Sequence, residues 1–461
     1  MKERANHLKV LLKEARHLIR LHSVTTESNG AIARYVGRLL EKEGFRVRYQ
    51  KEKIGGVSFS NVIGIKGKGK EPLIFMTHLD TVPPGPLSLW TKTKKDPWNP
   101  VLEGKRIYGL GSADTKLDIL PKIFASRHIP ALSMKRPLWI IGTFGEERGL
   151  LGARLFCQRI KRQGGVAFVS EPSELAWVHE HRGYLVLEIS IPIASSHHTA
   201  PFYFELEAFG KSAHSSVPHK GRNAVRIAFD FLKNISRRDP SLVLLSAEGG
   251  SSPNQVPSDA KMFFGSSFKT FASYPSIKIR RCGRPRAGKE IPWKALLDLF
   301  GAIEKGIGER RRPMTSNVGL LRTEERFLRV LVDFRVHPRD TNREILLFFK
   351  RRMKKVLDRY GIRAAFRIER DGPPLSVSAR SPILQLARRV SREAGVPFRL
   401  VKKPSCTEAG YLWRKGIPAI VFGPGKSAGN VHAPNESNEL SQLKKAERVY
   451  EVLIRHYCQK G

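Results

Sequence analysis

The chemistry in this sequence sits where apolar runs stop. LIFMTHLDTVPPG, residues 73–85, breaks off a buried-strand pattern at His78 and Asp80 before a Pro/Gly turn. Side chains two apart on a strand share a face, so the pair can act together at the mouth of a sheet. Taken alone, a core-edge histidine hydrogen-bonded to an acid is the simpler reading. Three further runs change that, because they also stop on groups able to bind metal. LWIIGTFGEE ends on Glu146 and Glu147, GGVAFVSEP carries Glu171 at its end, and GIPAIVFGPG is followed within a short loop by His432. A further acid, Asp114, lies in YGLGSADTK, where Gly109 and Gly111 free the backbone ahead of a helix.

Two histidines and several carboxylates, without a thiolate, suit zinc or a similar divalent ion such as cobalt in an open catalytic site rather than a closed structural one. Five ligands can hold two divalent metal ions if one carboxylate bridges them. Ions about 3.5–4 Å apart would polarise a carbonyl and activate a water between them. The adjacent acids Glu146 and Glu147 then make chemical sense, since one can ligate while its neighbour takes the proton from that water.

These residues must be brought together by the elements that carry them. In open α/β sheets, functional groups gather outside the carboxyl ends of the strands, so the four strand tips are expected to share one crevice. Up to about residue 181, short apolar runs alternate with helical patterns. NVIGIKG, LIFMTHLD, LWIIGTFGEE and GGVAFVSEP are the expected strands; DTKLDILPKIFASR, kinked at Pro121, and RGLLGARLFCQRIKRQ are the expected helices. Before them, Leu8, Leu11, Ala15 and Leu18 recur at helical spacing, which predicts an amphipathic helix packed on the body. From about 183 the texture becomes alternating strands (YLVLEISI, FYFELEAFG, RFLRVLVDFRV) with helices over GRNAVRIAFDFLKNI and TNREILLFFKRRMKKVLDRYG. Near 381 the first texture returns with the helix SPILQLARRVSREAG and the strand GIPAIVFGPG. The expected fold class is therefore α/β, a mixed, largely parallel sheet flanked by helices and formed by residues 1–182 and 376–461, with an α+β domain inserted at 183–375. Loop insertions are expected at 195–201 and at the basic 276–293.

Composition bounds the function. A chain of 461 residues exceeds one compact core, so two domains are expected, and a hydrophobic fraction of 41% suits a globular protein. No apolar run approaches the roughly 20 residues of a membrane-spanning helix, and the charged N-terminus lacks a signal-peptide core, so a cytoplasmic protein without a membrane partner is expected. Cys157, Cys282, Cys406 and Cys458 are scattered, which suggests neither a disulfide framework nor a cysteine zinc site. The formal charge is +40, from 82 Lys and Arg against 42 Asp and Glu. It is spread along the chain with no aromatic interleaving, so a solvated basic surface is expected and nucleic acid is not the expected partner.

HLDTVP, YGLGSADTK, GTFGEE, SEPS, GKSAHSSVPHKGRNA and CTEAGYLWRKGIPAIVFGPGKSAGNVHAPNE follow one another in this chain. As a set they resemble the metallopeptidase family that includes acetylornithine deacetylase, succinyl-diaminopimelate desuccinylase, aminoacylase and several dipeptidases and carboxypeptidases. The resemblance covers nearly the whole chain. It implies that His78, Asp114 and Glu171 hold one zinc, and that Asp114 bridges to a second held by Glu147 and His432. It further implies Glu146 as general base, Asp80 as the acid orienting His78 through its other ring nitrogen, and a cis peptide from Asp114 to Thr115. The inserted domain resembles the family's ferredoxin-like lid, which often carries the contact of a homodimer. There His214 matches the residue that reaches the oxyanion, and Asn254 and Arg335 fall where the family places substrate contacts.

The resemblance thus implies a zinc-dependent hydrolase of an amide bond, acting on a small N-acyl amino acid or a short peptide. The spellings CTEA and GLGSAD look more like acetylornithine deacetylase, and so like an enzyme of arginine biosynthesis, than like the desuccinylase or the dipeptidases. A basic nucleic-acid-binding protein that kept the fold without catalysis is the rival reading. His179, His181, His197 and His198 read as exposed loop histidines, and Cys406 as a pocket wall rather than a nucleophile.

Overall fold

The computed structural model describes residues 2–161, 164–195, 199–272, 274–283 and 289–460. The chain forms two compact units, Met1–His181 with Leu375–Gly461, and Arg182–Pro374.

The first unit is built on a nine-stranded mixed sheet. Its strands are β1 (Arg46–Ile54), β2 (Val57–Lys66), β3 (Leu73–His78), β4 (Leu138–Thr143), β5 (Val166–Val169), β6 (Trp177–His181), β7 (Leu375–Ser376), β8 (Leu400–Lys403) and β9 (Ala419–Val421). They lie in the order β1-β2-β4-β3-β5-β9-β6-β7, with β8 pairing β6. The run from β4 through β3 and β5 to β9 is parallel, and the pairs at β1, β2 and β7 are antiparallel. All six residues of β3 are buried, the near-continuous apolar pattern of a strand covered on both faces. Helices over Lys2–Arg20, Gly30–Lys42, Ile119–Ala125, Leu151–Arg159, Pro382–Ala394 and Leu440–Ile454 flank this sheet. Leu11, Ala15 and Leu18 of the N-terminal helix are fully buried, as their spacing predicts, and Leu8 packs half-buried against the same core.

One helix begins later than its sequence suggests. The stretch after Asp114 runs as a short turn over Lys116–Asp118, and the α-helix starts only at Ile119. Pro121 then falls in the first turn, where its missing N–H has no intrahelical partner to lose, and no kink is needed.

A second, three-stranded sheet joins Val101–Glu103, Arg106–Tyr108 and Ser437–Glu439, with Ser437 opposite Tyr108. It ties the loop after GIPAIVFGPG to the segment leading into Asp114.

The Arg182–Pro374 unit is α+β. Its eight-stranded sheet is antiparallel at every pair, and helices over Ala224–Ser236, Trp293–Gly308 and Asn342–Arg359 pack on it around Leu187, Phe229, Phe264, Leu299, Phe334 and Phe349. The last of these helices opens with a reciprocal cap between Thr341 and Glu344.

Candidate metal centre

His78 is the last residue of β3, and Glu146 and Glu147 follow the end of β4, its parallel neighbour. Glu171 follows β5, on the other side of β3. The parallel register therefore delivers these side chains to one edge of the sheet.

Asp114 joins them from a loop whose backbone is held by Glu436. The Glu436 carboxylate accepts the N–H of Gly111 at 2.9 Å, of Ala113 at 2.7 Å and of Asp114 at 2.9 Å. Gly111 has φ +80°, a conformation that residues with a Cβ rarely adopt, and a Cβ there would also lie 2.8 Å from Thr81 Cγ2, so the position favours glycine. The peptide from Asp114 to Thr115 is cis. His432 has φ +57° and approaches from the loop after β9, beside the three-stranded sheet that also places Glu436.

The ligand atoms of Asp114, Glu147 and His432 all lie within 4.8 Å of one another. His432 Nε2 is 2.9 Å from Glu147 Oε1 and 3.2 Å from Asp114 Oδ2, and its side chain is 51% exposed, so the cluster opens to the surface on that side. On the other side of Asp114, His78 Nε2 is 3.1 Å from Oδ1. The His78 Nδ1 faces Asp80 twice, at 3.1 Å from its backbone carbonyl and 3.7 Å from its carboxylate. With Nδ1 directed at Asp80, the ring is oriented so that Nε2 faces Asp114 and donates to its Oδ1. The Asp80 carboxylate also accepts the backbone N–H of Glu146 at 3.1 Å and of Glu147 at 3.2 Å. A single acid thus orients the histidine and fixes the turn that carries the two glutamates.

The electrostatics ask for positive charge. Hydrogen bonds to Asp114 and Glu147 push the His432 pKa up to about 11. Burial acts to raise the Asp114 carboxyl, but bonds from His432 and His78 prevail and hold it below the ordinary range. Burial, reinforced by Glu147, Glu171 and Asp114, holds Glu146 well above the usual carboxylate range, with His78 working against it. An oxygen- and nitrogen-donor set of this charge, with no thiolate, fits a divalent ion at Asp114, Glu147 and His432.

The position formed by His78, Asp114 and Glu171 is different. The Glu171 carboxylate is bonded to the ammonium of Lys403, the last residue of β8. Burial alone would lower the Lys403 pKa, but Glu171 and Asp114 raise it above the ordinary value. Those donors do not fit a second ion while Lys403 holds Glu171.

Three contributors lie outside the predicted set. Lys403 sits in LVKKPSCTEA, a four-residue strand with no alternation to mark it. Glu408, fully buried near His78, Asp80 and Glu171, is pushed up to about 7 by burial. Glu436 reaches about 7 for the same first reason. Both glutamates stand in motifs that carry the family resemblance, CTEA and HAPNE, which was the available signal.

His214, Asn254 and Arg335 belong to the inserted unit, where Ser215 links them. Ser215 N–H donates to the Asn254 carbonyl at 2.9 Å, and Arg335 donates to Ser215 Oγ at 2.8 Å. Arg335 is buried, paired with Asp333 at 3.1 Å and stacked on Tyr184 at 3.9 Å. His214 is exposed and its Nδ1 meets Ser216 Oγ at 2.7 Å.

The loop reading of His179 and His181 is corrected: both lie on β6 and are buried. His179 Nδ1 meets the Val377 carbonyl at 2.8 Å and His181 Nε2 meets Thr407 Oγ1 at 3.0 Å, so each buried ring has a polar partner from a distant segment. His197 and His198 lie outside the described residues. Cys406 is half-buried, and the four cysteines are free thiols. Among the described residues no helix is long and apolar enough to cross a membrane.

Residues 74–456 match the family model described as Peptidase family M20/M25/M40. An acetylornithine deacetylase of Klebsiella pneumoniae (strain 342) is 24% identical over 475 aligned residues, covering 98% of this chain and 99% of that protein. Among solved structures, aminoacylhistidine dipeptidase from Vibrio alginolyticus superposes with a TM-score of 0.64 at 18% identity, covering 96% of each chain. A Bacillus subtilis protein described as a dinuclear metal binding peptidase of the M20 family superposes at 0.50 with 13% identity and 96% of each chain covered.

Proposed function

This chain belongs to peptidase family M20/M25/M40 and is a hydrolase of amide bonds, and on that premise we propose that it removes the acyl group from an N-acyl amino acid, as acetylornithine deacetylase does. The observation that carries the reading is the divergence of two adjacent acids. Glu147 turns into the cluster with Asp114 and His432, while Glu146 stays outside it with its carboxyl held above the usual range. A carboxylate raised above its ordinary range is a stronger base and holds a proton that it can later return. Glu146 accepts the proton of the attacking water on a carboxylate oxygen and delivers it to the leaving amine nitrogen. Asp80 keeps that carboxylate in place through the backbone of residues 146 and 147. Asp114, Glu147 and His432 would hold a divalent ion, proposed to be zinc, which when bound supplies Lewis-acid polarisation of the acyl carbonyl. His214 is assigned to the developing oxyanion, and Asn254 and Arg335 to substrate contact; a homodimer formed through the inserted unit and a cytoplasmic location complete the reading.

The relative named a deacetylase and the spelling of CTEA support acyl transfer to water over peptide cleavage. The structural likeness to a dipeptidase favours the second reading, a dipeptidase or carboxypeptidase. A substrate panel decides between them: acetylornithine, succinyl-diaminopimelate, acetyl-methionine and simple dipeptides, with release of free amine measured. Faster hydrolysis of the acetyl amino acids is expected. Turnover of dipeptides alone would replace the deacylase reading with the peptidase one, and no turnover of any, with chelator-insensitive binding to nucleic acid, would remove both.

A further inference from the structure

We propose that Lys403 is the resident cation of the position formed by His78 and Glu171, so that this chain holds a single divalent ion, at Asp114, Glu147 and His432. The inference rests on the metal-dependent reading above and departs from a two-ion centre.

The lysine is delivered there by the sheet. β8 runs parallel to β6, and its register slips between Val401 and Lys402, so that Lys402 stands opposite Glu180 and Lys403 opposite His181. An irregularity of this kind re-aims the side chains around it. Successive strand residues face opposite sides, and the two lysines part accordingly. Lys402 pairs with Glu180 at 2.6 Å with its side chain 68% exposed, whereas the side chain of Lys403 is 19% exposed and reaches Glu171, itself 8% exposed. Only the second lysine enters the centre.

An ammonium has donors and no lone pair, so it satisfies a carboxylate without being able to ligate. Placed on Glu171, it presents positive charge where a second ion would seek a ligand, in surroundings with little water to screen the repulsion. Nothing equivalent stands at the other position. Among the described residues the cluster of Asp114, Glu147 and His432 is paired internally, and the only cationic group in it is the histidine that would itself ligate.

The test counts metal rather than turnover. The full-length chain is stripped with chelator, reloaded with excess zinc and freed of unbound ion by gel filtration, and zinc per chain is read by plasma mass spectrometry. One equivalent is expected for the wild type and two for Lys403→Met, which keeps the length of the side chain without its charge. Two equivalents in the wild type, or one in Lys403→Met, would overturn the inference and leave the proposed function standing. None in the wild type would overturn both. Should Lys403→Met fail to fold, Glu171→Gln decides alone: retention of the single equivalent supports the inference, and its loss shows Glu171 to be a ligand and overturns it.

Discussion

The two oxygens of Asp114 look out on two different environments. Oδ2 faces His432, half exposed, with Glu147 completing a cluster open to solvent; Oδ1 faces His78, 1% exposed, beyond which Glu171 is held by Lys403. Each side offers a histidine and a second carboxylate. Residue type alone would rank the two sides as equal, and a lysine on a neighbouring strand makes them unequal. A ligand set is therefore defined by what else reaches its carboxylates as much as by the ligands themselves.

That contrast can be broken or sharpened by substitution. The largest effect is expected at Glu146, which belongs to neither side: Glu146→Gln should lower kcat by about 10²- to 10⁴-fold while zinc content, measured on the same sample, is unchanged. Next, the two histidines should separate. His432→Ala should remove zinc from the chain, whereas His78→Ala should retain it, and equal loss from both would erase the difference between the sides. Smaller effects belong to the residues that hold ligands in place. Asp80→Asn sets an amide against one of the two N–H groups the carboxylate accepts, and Glu436→Gln does the same against the Gly111–Asp114 loop. Each should weaken zinc about 10- to 100-fold in a competition titration with a chromophoric chelator; an unchanged affinity would reduce them to ordinary core contacts.

The smallest effect concerns pH. Glu408 and Glu436 are each raised from 4.5 to about 7 by burial, so the metal-free fold keeps protons that the unfolded chain releases in that window. Their contribution is fully present below 4.5 and is lost as pH rises through about 7. The Tm of the metal-free protein should decline across this range, and Glu408→Gln should flatten the decline. A Tm rising with pH over the same window would contradict the buried environment of both acids.

Much of the first unit was legible because its strands are short apolar runs that stop on polar residues. LIFMTH, LWIIGT and VAFV are strands as expected, and the sheet is mixed with a parallel centre. The helix after Asp114 starts later than its pattern predicts, because Pro121 reads as an interruption unless the helix begins at Ile119. The burial of His179 and His181 is not legible, because WVHEH lacks the apolar run that marks a buried strand; it depends on partners at Val377 and Thr407, about two hundred residues on. Asp80 was legible as a partner of His78, but its grip on the backbone of Glu146 and Glu147 was not, since main-chain donors leave no signature in side-chain identity.

By itself the sequence determined the types of group available, the strand ends that carry them and the family to which the chain belongs, because those depend on local pattern and on motifs read in order. Tertiary structure alone decided which of two successive lysines enters the centre. Glu171 and Lys403 are 232 residues apart, and their meeting depends on β8 pairing with β6 and on the slip in their register. A register is set by packing between distant segments, and no spacing within LVKKPSCTEA records it.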